Sequence, residues 1–141
     1  MKRILFSGSE TTVTSDLSLA VLRIFSGLAM AFGHGIRKVP PSEGFIEHTA
    51  ELGFPIPAFF AYAAGYSEFL GGILLALGFM TRPAAFFVAA TMFVAGFINH
   101  ADDPFGSAEK AYLYFIIAMV YMVLGSGRLS ADQLIRRRFN I

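Results

Sequence analysis

Residues 57–100 read PAFFAYAAGYSEFLGGILLALGFMTRPAAFFVAATMFVAGFINH, two apolar runs joined at Thr81–Arg82–Pro83. The first, Pro57–Met80, holds 24 residues and a single charge, Glu68; the second, Pro83–His100, holds no Asp, Glu, Lys or Arg. A helix rises about 1.5 Å per residue and the hydrocarbon core of a bilayer is about 30 Å thick, so each run is close to one crossing. Proline suits the first turn of a helix, which places Pro83 at the start of the second crossing. The stretch predicts a membrane helical hairpin.

Two further runs flank it. Leu17–Ile36 follows Thr14, Ser15 and Asp16, candidate helix caps, and is interrupted only by Arg23; Ala111–Gly127 carries no charge. Four crossings need about 80 apolar residues. The 141-residue chain is 55% hydrophobic and 15% charged, with mean hydropathy +0.61, and so has about that many. This arithmetic leaves no room for a large extramembrane domain and excludes disorder. The predicted fold is an all-α integral membrane four-helix bundle. Its parts are a cytosolic tail over 1–16, a membrane domain over 17–127 with spans at about 17–36, 57–80, 83–100 and 111–127, and a basic tail over 128–141. In that tail Leu134, Ile135 and Arg136–Arg137–Arg138 suggest an amphipathic helix on anionic lipid. Between the first two spans, Glu43–Leu52 is bracketed by Pro40, Pro41 and Pro55 and predicts a short amphipathic helix on the membrane face. Ala29–Met30–Ala31 superficially resembles a signal-peptidase site, but Arg23 inside the apolar run and the long polar leader argue for retention.

Net charge is +1 and basic residues are scattered outside the last segment, which excludes a nucleic-acid binder. Cysteine is absent, which excludes disulfides, thiolate nucleophiles and Cys-ligated clusters on this chain alone. Four spans put both tails on one side. That side holds Lys2, Arg3, Arg82, Arg128, Arg136, Arg137 and Arg138, against Arg37, Lys38 and Lys110 on the other, so both termini are expected in the cytosol.

Ionisable residues inside a span are costly and are functional candidates by default. Arg23 and Glu68 sit roughly 20 and 16 Å from the outer end at helical rise, and are expected to form a buried charge pair. That pair is read either as a pin between helices or as a proton-handling and ligand-binding site at Glu68. His34, Lys38, His100, Asp102, Glu109 and Lys110 all fall at the outer boundary, with Tyr114 just inside. Such a group can bind a quinone head, His34 and His100 flanking it and Lys38, Glu109 and Lys110 shaping its field. Interfacial anchoring is the other reading. Haem or a metal finds no support in any HxxH, ExxH or CxxCH spacing. Gly27, Ala31 and Gly35 step by four, as do Ala61 and Gly65, which permits close helix approach. Gly71–Gly72 would admit a neighbour or ligand beside Glu68. Tyr114 and Tyr121, seven apart, are expected to be interhelical hydrogen-bond donors.

The combination resembles the DoxX family of small bacterial and archaeal membrane proteins. It rests on Leu22–Arg23 leading to His34–Gly35 and Lys38; on Glu68 with Gly71–Gly72 and Gly78–Phe79–Met80–Thr81–Arg82–Pro83; on His100; on Glu109–Lys110–Ala111 and Leu113–Tyr114; and on Gly125–Ser126–Gly127–Arg128 with Ser130 and Asp132. The resemblance implies a multi-pass protein of the cytoplasmic (inner) membrane that works beside a membrane or soluble oxidoreductase subunit, in quinone-linked oxidation or redox-stress protection. The lipid bilayer and a second copy of the chain are the other expected partners. Without cysteine, thiol chemistry would depend on the partner. The alternative is a non-catalytic structural or assembly subunit.

Overall fold

The computed structural model describes residues 13–139, and every regular element among them is helical. Helix α1 covers Val13–Gly33 and is followed by a 3-10 turn, Gly35–Lys38. Next come α2, Glu43–Glu51, and α3, Pro57–Leu77. Helix α4, Thr81–Val94, continues into a π-helical segment, Ala95–Asn99; α5 is Phe105–Leu124 and α6 is Ala131–Phe139. Val13–Lys38, Pro57–Leu77, Thr81–Asn99 and Phe105–Leu124 are each long and apolar enough to cross a bilayer. The starts of the first and last spans differ most from expectation. Residues 13–16 of the expected N-terminal tail are helical, while its first 12 residues lie outside the described ones. Helix α5 starts at Phe105, because Pro104, with φ −55° and ψ 145°, ends the loop in an extended conformation and opens a helix six residues before Ala111.

The packing order is α1 against α3, α3 against α4 and α4 against α5, with α1 and α5 meeting only lightly. In lipid the apolar surface gives helices no reason to associate, so close backbone approach must come from small residues. The expected steps of four supply it. A Cβ added at Gly27 would lie 2.5 Å from the Gly72 carbonyl oxygen, and one at Gly72 would lie 2.7 Å from that of Gly27. The neighbour in each case is backbone and cannot yield. Gly72→Val is therefore expected to lower stability by about 1–3 kcal/mol, read as thermal unfolding of the purified protein, whereas Gly33→Ala, with nothing within 4 Å, should be silent. On the other side Met30, Val88, Ala89, Met92, Ala111 and Ala118 join α1, α4 and α5 in one apolar core. Large apolar side chains such as Val21, Leu70 and Val123 point outward, as lipid contact requires.

A polar clasp closes the end of the bundle that holds the start of α1, the α3–α4 turn and the chain leaving α5. Gly78, at φ 67°, ends α3 in a Schellman arrangement, the Phe79 N–H bonding to Leu74 O and the Gly78 N–H to Leu75 O. The free amides that open α4 are capped from a distance: Asp132 accepts from Met80 N (2.8 Å), Thr81 N (3.1 Å) and Thr81 Oγ1 (2.9 Å). The Asp132 N–H in turn donates to Gly78 O at 2.9 Å, which pins α6 to the turn. Tyr121, buried, donates to Leu19 O at 2.6 Å and ties α5 to α1, the interhelical role expected of it. Arg128 reaches Asp16 at 3.4 Å.

A buried carboxylate under an amphipathic roof

At the opposite end, the 3-10 turn lies directly on α3. Gly35 packs against the backbone of Glu68 and Phe69, and Gly65 against the carbonyl of Lys38, approaches that no side chain would permit. The turn delivers the Lys38 ammonium to Glu68, with Nζ 2.6 Å from Oε1. Glu68 is fully buried, and its Oε2 has no hydrogen-bond partner among the described residues. Lys38 keeps a third of its side chain exposed and lies over the Phe45 ring, Nζ 5.5 Å from the centroid, a cation–π distance. An ionised carboxylate can accept about four hydrogen bonds, so this one is far from saturated.

The pair lines a groove of about 420 Å³ between α2, α3 and α4. Its walls are mainly aromatic and aliphatic, including Phe54, Phe59, Phe60, Phe86 and Phe87. Helix α2 roofs it. Ser42 caps that helix by accepting from Phe45 N, and Phe45, His48, Thr49 and Leu52 form its inward stripe. The roof is fastened by the His48 ring, whose Nε2 lies 2.5 Å from Asn99 Oδ1. Asn99 closes the π-helical segment, where Tyr112 donates to Gly96 O at 3.0 Å. Such π segments recur at functional sites. Sequence reasoning did not single out His48, Asn99 or Phe45. The signal was present in the i, i+3, i+4, i+7 spacing of Phe45, His48, Thr49 and Leu52 within the predicted amphipathic helix.

The expected buried pair of Arg23 with Glu68 does not form. Cα–Cβ bonds tilt toward the helix N-terminus, and α1 and α3 run antiparallel, so side chains at similar depth depart in opposite directions. Glu68 goes to Lys38. Arg23, buried, goes to the clasp, donating from Nη1 to Ser126 O and from Nη2 to Leu129 O at 2.8 Å. The outer cluster is also not one site. His34 and Tyr114 meet edge to face, centroids 5.6 Å apart, and with Lys110 line a separate cleft between α1 and α5. His100 bonds through Nδ1 to Asp103 at 2.7 Å in the α4–α5 loop, and Glu109 is exposed, so neither joins Lys38 and Glu68. The reason is that a common depth at the outer boundary does not set direction: α1 ends in a 3-10 turn and α4 in a π-helical segment, and the side chains there face different neighbours. Among the described residues no three His, Asp or Glu side chains are grouped as a metal site would need.

The DoxX family profile matches residues 18–101, a segment that contains every residue of the groove. The chain is 30% identical over 118 residues to a Bacillus subtilis protein named "Putative oxidoreductase CatD", covering 83% of this chain and 86% of that one. It is 29% identical over 133 residues to an uncharacterized protein of Haemophilus influenzae, covering 89% and 87%. Inner membrane protein YphA of Escherichia coli shares 36% identity over 75 residues, about half of each chain. No solved structure matches significantly. With four apolar helices of spanning length in the order that the motifs require, this chain is a multi-pass membrane protein and belongs to the DoxX family.

Proposed function

We propose that the chain is the membrane-embedded binding subunit of a quinone-linked oxidoreductase system, with the groove under α2 as the head-group site. The reading rests on one observation, a buried carboxylate whose Oε2 has no hydrogen-bond partner among the described residues and a lysine at 2.6 Å from its other oxygen, both lining an apolar groove. A quinone carbonyl is an acceptor for Lys38 Nζ, and a quinol hydroxyl is a donor for Glu68 Oε2. The same two groups thus recognise either oxidation state, while the phenylalanine walls suit an aromatic ring and isoprenoid carbon. The name of the Bacillus relative points the same way. Reducing equivalents from a thiol would come through a partner subunit, because the chain has no cysteine of its own. We further propose that the clasp end, which carries Arg82, Arg128 and Arg136–Arg138, faces the cytosol with both termini, and that residues 17–127 act as the membrane domain.

A second reading has the polar residues acting only as helix pins in an assembly subunit, and the use of Arg23 and Asp132 in the clasp favours it for those two. Titration of a short-tailed benzoquinone into the full-length protein in nanodiscs separates the two. Saturable binding is expected, weakened at least tenfold by Glu68→Gln and unchanged by His100→Ala. A tenfold loss is about 1.4 kcal/mol. Absence of binding, or equal binding by Glu68→Gln, rejects the quinone site and leaves the assembly role.

A further inference from the structure

The cleft between α1 and α5 is separate from the groove just described, and none of its chemistry is used by the quinone reading. It measures about 470 Å³. Leu22, Phe25 and Ala29 of α1 and Leu113 and Ile117 of α5 form its sides. Of its polar side chains, Ser26 is buried and spends its hydroxyl on Arg23 O of its own helix at 3.3 Å, while His34, Lys110 and Tyr114 collect at one end, the outer boundary. The lining ends at Leu22 and Ile117, and about one turn beyond them the Tyr121 hydroxyl bonds to Leu19 O at 2.6 Å and ties the two helices together.

These dimensions select an occupant. From Leu22 to His34 is 12 residues, or about 18 Å at helical rise, close to the roughly 15 Å of one leaflet's hydrocarbon. A transmembrane helix would need a groove running the full thickness, and this one ends at Leu22 and Ile117, short of the Tyr121–Leu19 bond. A compact polar solute would leave the apolar walls unmatched. We propose that the cleft holds one acyl chain of an anionic glycerophospholipid, whose phosphate is bound at the mouth by Lys110 with His34 beside it. Lys110 supplies the positive charge, and the edge-to-face contact of His34 with Tyr114 at 5.6 Å holds the imidazole at the mouth. The light contact between α1 and α5 then has a physical basis: the lipid completes the fourth side of the bundle.

Native mass spectrometry of the full chain, after exchange into a neutral detergent with phosphatidylglycerol or phosphatidylcholine, tests this. One phosphatidylglycerol per chain should be retained at concentrations at least tenfold below those needed for phosphatidylcholine. Lys110→Glu should abolish that preference. Leu113→Trp, which fills the cleft from an exposed position, should remove the bound lipid altogether, whereas Glu68→Gln should leave it in place. Equal retention of both lipids by the wild type, retention of neither, or a silent Lys110→Glu overturns the proposal. So does loss with Lys110→Glu but not with Leu113→Trp, which would place the headgroup on the surface outside the cleft. Because the groove variant is a control here, failure of the quinone reading and failure of the lipid site give different results.

Discussion

Arg23→Leu is expected to be the most damaging single substitution in this chain, and Glu68→Leu is expected not to rescue it. Arg23 gives two hydrogen bonds to the segment that leads from α5 to α6, one to Ser126 O and one to Leu129 O. Hydrogen bonds to charged groups contribute about 1.5–3 kcal/mol each, so their loss costs roughly 3–6 kcal/mol. The loss also propagates. The segment that Arg23 grips carries Ser130, which donates to Gly127 O at 2.8 Å and accepts from Gln133 N at 3.2 Å, and then Asp132, which caps α4. Arg23→Lys should fail as well, because a single ammonium lacks the fork that reaches both carbonyls. The measurement is thermal unfolding of the purified protein together with proteolysis after residue 125, which should become fast in both variants. If Arg23→Leu with Glu68→Leu proved far more stable than Arg23→Leu alone, the two side chains would be partners after all and the clasp would be misassigned.

That expectation runs against the reading of the sequence, and the reason is instructive. The four helices were legible because span length and apolar content are long-window properties that one misplaced residue does not disturb. The close α1–α3 crossing was legible too, since Gly27 and Gly72 are small whatever their phase. The ion pair was not. Depth along a helix locates Cα atoms, but a long side chain ends several ångströms toward the N-terminus of its own helix, and in antiparallel neighbours that shift has opposite signs. The grouping at the outer boundary failed where the helix itself changes pitch, at Gly35–Lys38 and Ala95–Asn99. Helix α2 was foreseen as a surface element, yet the consequence of its inner stripe, a roof fastened by His48 to Asn99, required the tertiary fold. The family motif also divides in space. Arg23, Gly78, Thr81, Ser126, Ser130 and Asp132 build the clasp, while Lys38 and Glu68 build the groove.

The second large effect concerns the groove and separates folding from binding. Lys38→Met should leave the Glu68 carboxylate buried without the only hydrogen bond it makes among the described residues, and breaking a buried pair by removing one partner costs about 3–5 kcal/mol. Partial exposure of Lys38 puts the expected loss at the lower end of that range. Glu68→Leu removes the buried acceptor and leaves a lysine with a third of its side chain exposed that can reach water, so it should be much milder. The double variant Lys38→Met with Glu68→Leu replaces the pair by apolar groups in an already apolar groove. Its stability should return to within about 1 kcal/mol of the wild type, since such replacements are often neutral. Quinone binding should not return with it. Measured as a double-mutant cycle on thermal unfolding and on benzoquinone affinity, the pair should show a large coupling in stability and none in the restoration of binding. A double variant that is stable and still binds quinone would mean that the aromatic walls alone hold the ligand. One that stays as unstable as Lys38→Met would mean that the 3-10 turn needs the lysine itself to sit on Gly65, and the carboxylate would lose its claim to be more than a structural counter-ion.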